Sequence, residues 1–338
     1  MSILQPLVQC IQESKGLAHK KDIATSMAAL AAAQPLGSTI LVGDDCAVLK
    51  SGDGSNLLFA IEGFMNDFVE ADPWFAGYCG VMVNVSDIAA MGGRPTALVD
   101  AVWTPNAHQL EKILQGMVEA SARYKVPIVG GHTNARNDQN QLAVSIIGSA
   151  NSVLSSFDAK PGDVLMSVID LRGHFHEVGN NWNASTEAPA SRLREDLELL
   201  PKLAERGLAH ACKDISMAGP LGTTVMLLEC SECGAEIWPD DFPRPPGVPL
   251  ERWMQTFPSF GFVFSVAPAQ VNQMKQIFNA RDLLCSEVGQ VTEGSKVWLK
   301  HQDETELLWD FSASSLLGCG QLNKTNVTVG EVNARRSV

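Results

Sequence analysis

Val81-Met82-Val83-Asn84-Val85-Ser86-Asp87-Ile88-Ala89-Ala90-Met91-Gly92-Gly93-Arg94-Pro95 is the stretch from which the rest of the chain is best read. As a helix it sets Asn84 and Asp87 one turn apart on one side. Val81, Val85 and Ile88 line an adjacent apolar stripe, and Gly92-Gly93 ends the helix. A surface helix carries Lys and Glu; this one carries neither before Arg94, so the pattern predicts a buried helix. A buried carboxylate needs a hydrogen-bonded or metallic partner. At this point a structural and a functional reading of Asp87 stand side by side.

Other acidic and glycine-containing motifs flank it. Val42-Gly43-Asp44-Asp45-Cys46-Ala47-Val48 puts two carboxylates in a turn where they can diverge, one inward and one to solvent. Hard divalent cations take such oxygen ligands, and an acidic surface turn is the alternative. Leu57 to Ile61 reads as a short buried strand with Glu62 directly after it. Ligand sites form at the ends of buried strands, although a carboxylate there also serves as a turn residue. Val129-Gly130-Gly131-His132-Thr133-Asn134 follows a strand, and its glycines would let backbone N–H groups approach a ligand. Lys213-Asp214-Ile215-Ser216 opens a predicted helix, with Asp214 or Ser216 as its N-cap.

Outside these motifs the chain alternates strands and helices. His108 to Lys125 is an amphipathic helix ended by Val126-Pro127, and Leu142 to Ile147 is a further strand. A helix runs around Arg192 to Arg206 with a break at Pro201, another covers Leu221 to Glu229, and Phe260 to Val266 is a strand. The turn cluster Asp158-Ala-Lys-Pro-Gly-Asp163 is the best boundary between two domains, the number that 338 residues predict. The expected division is residues 1–154, residues 155–318 and a polar tail, 319–338.

Composition narrows the function classes. The apolar share is 45% and the charged share 19%, a globular balance, and the formal charge is −13. Such a chain repels a phosphate backbone, so no nucleic-acid partner is expected, and a phosphorylated ligand must bring metal ions or meet a local positive site. No apolar run is long enough to span a membrane, so no membrane partner is expected either. Met1 to Ser14 has no basic segment before an apolar stretch, and the eight cysteines are not a disulfide framework; a reduced, cytoplasmic chain is the expectation. The Cys230–Cys233 pair and the His174–His176 pair each lack further ligands for a metal set. Neither a phosphate-binding loop G-x-x-x-x-G-K-[ST] nor a dinucleotide fingerprint G-x-G-x-x-G occurs.

Taken in order, the Asp44-Asp45 turn, the strand ending in Glu62, the Asn84–Gly93 block, Gly-Gly-His132-Thr133, Lys-Pro-Gly-Asp163 and Asp214-Ile-Ser resemble the aminoimidazole ribonucleotide (AIR) synthase superfamily. That superfamily also includes thiamine-monophosphate kinase, selenophosphate synthetase and a hydrogenase maturation factor. The resemblance runs from about Gly16 to Asp310. It implies an α/β subunit of two domains, with the N-terminal sheets of a homodimer meeting in a dimer-spanning barrel and a C-terminal α/β domain behind. It also implies ATP and Mg²⁺ in an acidic cleft. By motif, Asp44, Asp45, Glu62, Asp87 and Asp214 match metal positions, and Asn84, Gly130, Gly131 and Thr133 match the nucleotide site. Lys20 sits where selenophosphate synthetase has its lysine, and His132 would serve phosphate binding or proton transfer.

Departures from the pattern are equally specific. Glu62 stands where the kinases have Asp, and His132 where they have Asp or Asn. Leu17 occupies the place nearest to the synthetase's reactive Cys, and the hydrogenase factor's C-terminal cysteine motif is absent. The expected function is an ATP- and Mg²⁺-dependent enzyme that phosphorylates or activates a small-molecule substrate. The alternative is a catalytically silent nucleotide- or metabolite-binding protein that serves a partner.

Overall fold

The computed structural model describes residues 3–30, 42–52 and 54–319. The chain opens with three short helices, α1 (Leu4–Gln12), α2 (Lys15–Lys21) and α3 (Ile23–Leu30). Next come β1 (Ala47–Lys50), β2 (Asn56–Phe64), α4 (Asn66–Ala71), α5 (Pro73–Ala90), β3 (Arg94–Trp103), α6 (Ala107–Tyr124), β4 (Ile128–Asn134) and β5 (Gln141–Ala150). The five strands form one sheet in the order β1-β2-β5-β3-β4, antiparallel except for the β3–β4 pair.

One face of that sheet is covered. Leu58, Leu98, Val102, Val144 and Ile146 point to α5 and share its core. Gly77 and Gly116 let α6 lie directly on α5, because a Cβ at either position would meet a backbone oxygen of the other helix within 2.0 Å. The opposite face carries Phe59, Ile61, Val99 and Ile147 in the open, with Ile61 66% exposed. Within the described residues the sheet is open, with free edges at β1 and β4, and closes into no barrel.

After the boundary come β6 (Val164–Ile169), β7 (His174–Phe175), β8 (Asn181–Asn183), α7 (Ala190–Leu197), α8 (Leu199–Glu205), β9 (Ala211–Asp214), α9 (Gly219–Cys230) and β10 (Gly234–Ile237). The remaining elements are α10 (Leu250–Trp253), β11 (Phe257–Pro258), β12 (Gly261–Val266), α11 (Val271–Asn279), β13 (Leu284–Thr292), β14 (Lys296–His301) and β15 (Glu304–Asp310). A seven-stranded sheet runs β15-β14-β10-β13-β6-β12-β9, and β11-β8-β7 form a small third sheet. The large sheet has a core on each side. Phe262, Phe264, Met166 and Val168 face one, and Val263, Leu165 and Ile169 face the other.

One expectation shifts here, and two findings bear on the expected division. Leu4, Leu7, Ile11 and Leu17, from the opening helices, join the core of the second half although they precede the first sheet in sequence. The helix expected over Arg192 to Arg206 is two helices, and the break falls at Glu198 rather than at Pro201. Proline lacks an N–H and crowds the carbonyl four residues earlier, so the turn that ends at Leu197 is the one interrupted. Leu316, Leu317 and Cys319 are buried, and the backbone N–H groups of Leu316, Leu317 and Gly318 donate to the Glu229 carboxylate at 2.6–3.1 Å. Residues 320–338 of the expected polar tail lie outside the described residues.

Candidate active site

Helix α5 is buried along almost its whole length, as its sequence predicts. Ile88 belongs to the core of the first sheet and Ala89 and Ala90 to that of the second, so Asp87 sits where the helix passes from one half to the other. Strand β9, on the edge of the second sheet, ends there with Asp214. The turn before β1 brings Asp45. Carboxylate oxygens of Asp45, Asp87 and Asp214 lie within 4.8 Å of one another.

Adjacent residues Asp44 and Asp45 have opposite fates. Asp44 accepts hydrogen bonds from the Ser155 hydroxyl (2.8 Å), the Ser156 N–H (3.0 Å) and the Ser156 hydroxyl (2.5 Å). Both of its oxygens accept hydrogen bonds from the segment joining the two halves, so it anchors the turn and lies outside the converging trio. Asp45 turns inward, where one oxygen receives the Lys213 ammonium and the other faces the Asp214 N–H at 3.4 Å.

The site contains buried polar atoms with no partner in the protein. Asp87 is 4% exposed and its Oδ2 has none. One turn away, the Asn84 side-chain N–H donates to the Gly80 carbonyl at 2.8 Å, leaving Asn84 Oδ1 buried and unpaired. Unpaired buried oxygens of this kind are rare in native proteins, and these two are where a ligand would complete the bonding. Hard oxygen donors in this arrangement fit Mg²⁺.

Electrostatics point the same way. Burial raises the Asp45 carboxyl to about 7; Lys213 opposes the rise and Asp214 and Asp44 add to it. Asp214 is raised to about 6 by burial, eased by Lys213 and increased by Glu62. Asp87 lies well above the ordinary carboxylate range, through burial and then the charges of Asp214 and Glu62. Glu62 is raised by burial, and Lys20 is the strongest opposing charge. Burial works against the Lys213 ammonium, yet Asp45 and Asp44 hold its pKa well above the usual lysine value. Glu62 and Lys20 therefore act electrostatically on the cluster, with Glu62 outside the trio that converges.

The glycine motif is arranged differently from the expectation. Gly130, Gly131, His132 and Thr133 belong to β4, so Gly-Gly is extended strand rather than a turn. Gly131 lies against the Asp100 carboxylate, whose oxygen is 2.6 Å from where a Cβ would be, so a side chain there would have to displace it. Register puts Glu62, Val144, Asp100 and Gly131 in one row and Gly63, Ala143, Ala101 and His132 in the next. Successive rows face opposite sides, so His132 points to the open face, beside Trp103 at 5.5 Å between ring centres, away from the Glu62 side. Thr133 is exposed on the same edge strand. Asp214 is also not a helix cap: it ends a strand, and α9 begins after Ala218 with no side-chain cap.

Lys213 is the site residue the motifs did not disclose. A lysine between Cys212 and Asp214 in a strand buried at all four positions must meet a counter-charge, and that was the available signal. Among the described residues all cysteines are free thiols. His176 stacks on Phe75 at 3.7 Å and faces Asp72, a structural tie between the halves.

Comparison with known proteins completes the picture. Residues 43–150 match the family model described as AIR synthase related protein, N-terminal domain, and residues 160–302 match its C-terminal domain. An uncharacterized protein of Synechocystis sp. is 42% identical over 320 residues, 94% of this chain and 98% of its own. Selenide, water dikinase of Clostridioides difficile is 30% identical over 210 residues, 59% of this chain and 60% of that one. Among solved structures, T. maritima PurL complexed with ATP superposes with a TM-score of 0.69 at 20% identity, over 84% of this chain and 47% of the PurL chain. With both family models matched in order along most of its length, the chain belongs to the AIR synthase-related family, and its two-domain fold is that family's.

Proposed function

We propose that this chain is an ATP-dependent enzyme that phosphorylates or otherwise activates a small molecule, with Mg²⁺ held by Asp45, Asp87 and Asp214. The observation that carries this reading is the convergence of three carboxylates, one with an unpartnered buried oxygen, where the two halves meet. Relatives named for ATP-using reactions, such as selenide, water dikinase, support it. Bound Mg²⁺ would neutralise phosphate charge during transfer.

The chain's own groups divide the remaining work. Asn84 Oδ1 is free to accept a hydrogen bond from a ligand or from metal-bound water. Lys20, on α2 and acting electrostatically on Glu62 and Asp214, would supply a positive charge near the cluster for a transferred phosphoryl group. Helix α5 and strand β9 are buried almost throughout, and packing on both sides would hold Asp87 and Asp214 in position.

A second copy of the chain belongs to this reading. Phe59, Ile61, Val99 and Ile147 lie together on a sheet face left exposed among the described residues, and a symmetric partner would bury them. His132 points to that face, so a catalytic part for it requires the dimer. With its free thiols the chain suits a reducing compartment, the cytoplasm. No helix among the described residues is long and apolar enough to cross a membrane.

Calorimetry with ATP, with and without Mg²⁺, together with ADP release across a panel of small metabolites, tests the proposal. Mg²⁺-dependent nucleotide binding and ADP formation with at least one metabolite are expected. Absence of nucleotide binding would overturn it.

A further inference from the structure

The Lys213–Asp45 pair lies inside the acidic cluster rather than beside it. Lys213 is 5% exposed, and its ammonium rests on Asp45 Oδ1. Strand β9 is an edge strand, so the turn that carries Asp45 lies along its open side and receives both the Lys213 ammonium and the Asp214 N–H. A buried ammonium is strongly unfavourable without a counter-charge, and removing one partner of such a pair leaves the other uncompensated.

Two divalent cations held side by side share bridging carboxylates, one oxygen to each. Asp45 would be such a bridge if both oxygens were free, since it stands against both Asp214 and the inward end of the turn. Only its Oδ2 remains lightly engaged, at 3.4 Å from the Asp214 N–H, because Oδ1 belongs to Lys213. Asp44 offers no substitute, as Ser155 and Ser156 occupy both of its oxygens. Asp87 Oδ2 has no protein partner and is the natural first ligand.

We propose that Lys213 is a built-in counter-cation: its ammonium fills the position beside Asp45 that a second divalent ion would otherwise take, so the Asp45–Asp87–Asp214 cluster holds one divalent cation. The inference rests on the reading that this cluster binds metal. Lys213 is thus a positioning residue. It fixes Asp45 and sets the number of ions the protein carries, without touching substrate.

Mn²⁺ titration of the full chain, with free Mn²⁺ counted by its electron paramagnetic resonance signal, tests this. The Lys213→Met variant should bind one more Mn²⁺ per chain than the unaltered protein, and Lys213→Arg, which keeps the charge, should bind the same number. The double variant Lys213→Met/Asp45→Asn removes both partners together and should gain no ion. Lys213→Met is expected to melt lower than the unaltered chain in chelator and to recover more of its melting temperature on adding Mn²⁺ than the unaltered chain gains. An unchanged Mn²⁺ count in Lys213→Met overturns the proposal, as does a variant that stays unfolded at every Mn²⁺ concentration, since Lys213 would then be purely structural. Failure of the underlying metal reading has a different signature: Mn²⁺ binding by the unaltered chain that Asp87→Asn leaves intact.

Discussion

The two large sheets bury their strands to different degrees. In the seven-stranded sheet, β12 is buried at all six positions and β9 at all four, with separate cores on the two faces. In the five-stranded sheet, β2 alternates: Leu58 and Ala60 face α5, while Phe59 and Ile61 stand in the open. Among the described residues the first sheet leaves one apolar face exposed, whereas the second has a core on each side. The acidic site lies between them and draws Asp87 from the helix on the half-covered sheet and Asp214 from the edge of the complete one.

Truncating the complete sheet should have the largest effect. Phe264 is fully buried against Phe262 and Phe278, and Phe264→Ala should cost about 3–5 kcal/mol in denaturant unfolding at any protein concentration. Ile61→Ala should cost about 0.5 kcal/mol or less in a dilute monomer, with a larger cost only at concentrations where copies associate. Ile61→Arg should keep the chain folded and monomeric in light scattering while the unaltered protein forms dimers. Equal, concentration-independent costs at Phe264 and Ile61 would erase the contrast between the sheets.

The next largest effect belongs to the junction. Mg²⁺–ATP at a hundred times its dissociation constant should stabilise the unaltered protein by about 2.7 kcal/mol. Asp87→Asn should remove most of that gain and leave the ligand-free chain folded, since a neutral amide of nearly the same volume replaces a carboxyl that burial already holds toward its protonated form. Thermal melts with and without Mg²⁺–ATP check this. A variant that unfolds, or one that keeps the full shift, would make Asp87 a structural residue.

Asp44 gives a smaller and different response. Asp44→Ala strips the Ser155 and Ser156 groups of their acceptor, with a cost of about 1–3 kcal/mol from hydrogen bonds to a charged group. It leaves the three clustered carboxylates in place, so a Mg²⁺–ATP shift should survive. Complete loss of that shift at unchanged stability would return Asp44 to the metal site.

How much of this was legible in the sequence depends on how far apart the deciding residues lie. The buried helix around Asn84 and Asp87 was readable because its side-chain pattern is local. Choosing between Asp44 and Asp45 was not, since the serines that claim Asp44 are more than a hundred residues away. The Gly130-Gly131 pair reads as a turn in isolation, but parallel pairing with β3 extends it. Asp214 resembles a helix cap until β12, far along the chain, pairs with its strand. Lys213 escaped notice because strand alternation alone would send neighbouring side chains to opposite faces. At an edge strand, a turn lying alongside can meet groups from both.

The smallest expected effect is a gradual dependence on pH, and it separates the crowded junction from the quiet cores on either side. In the folded protein without divalent cations, burial raises Asp214 to about 6 and Asp45 to about 7, against an unfolded value near 3.8. A carboxyl raised on folding binds its proton more tightly in the native state. Its stabilising contribution is therefore fully present below the unfolded pKa and is lost as pH rises through the folded one. In chelator, the melting temperature should be higher near pH 5 than near pH 8, with the decline setting in above about pH 4 and ending by about pH 7. Lys213 keeps the decline modest, because its ammonium already opposes the rise at both carboxyls. Mg²⁺ should flatten the curve by holding the ionised forms, most strongly at the alkaline end, where protons no longer compete for the ligand oxygens. A melting temperature that is level or climbing from pH 5 to pH 8 in chelator would mean that these carboxyls titrate as they do in water, and that the three are less crowded than their positions indicate.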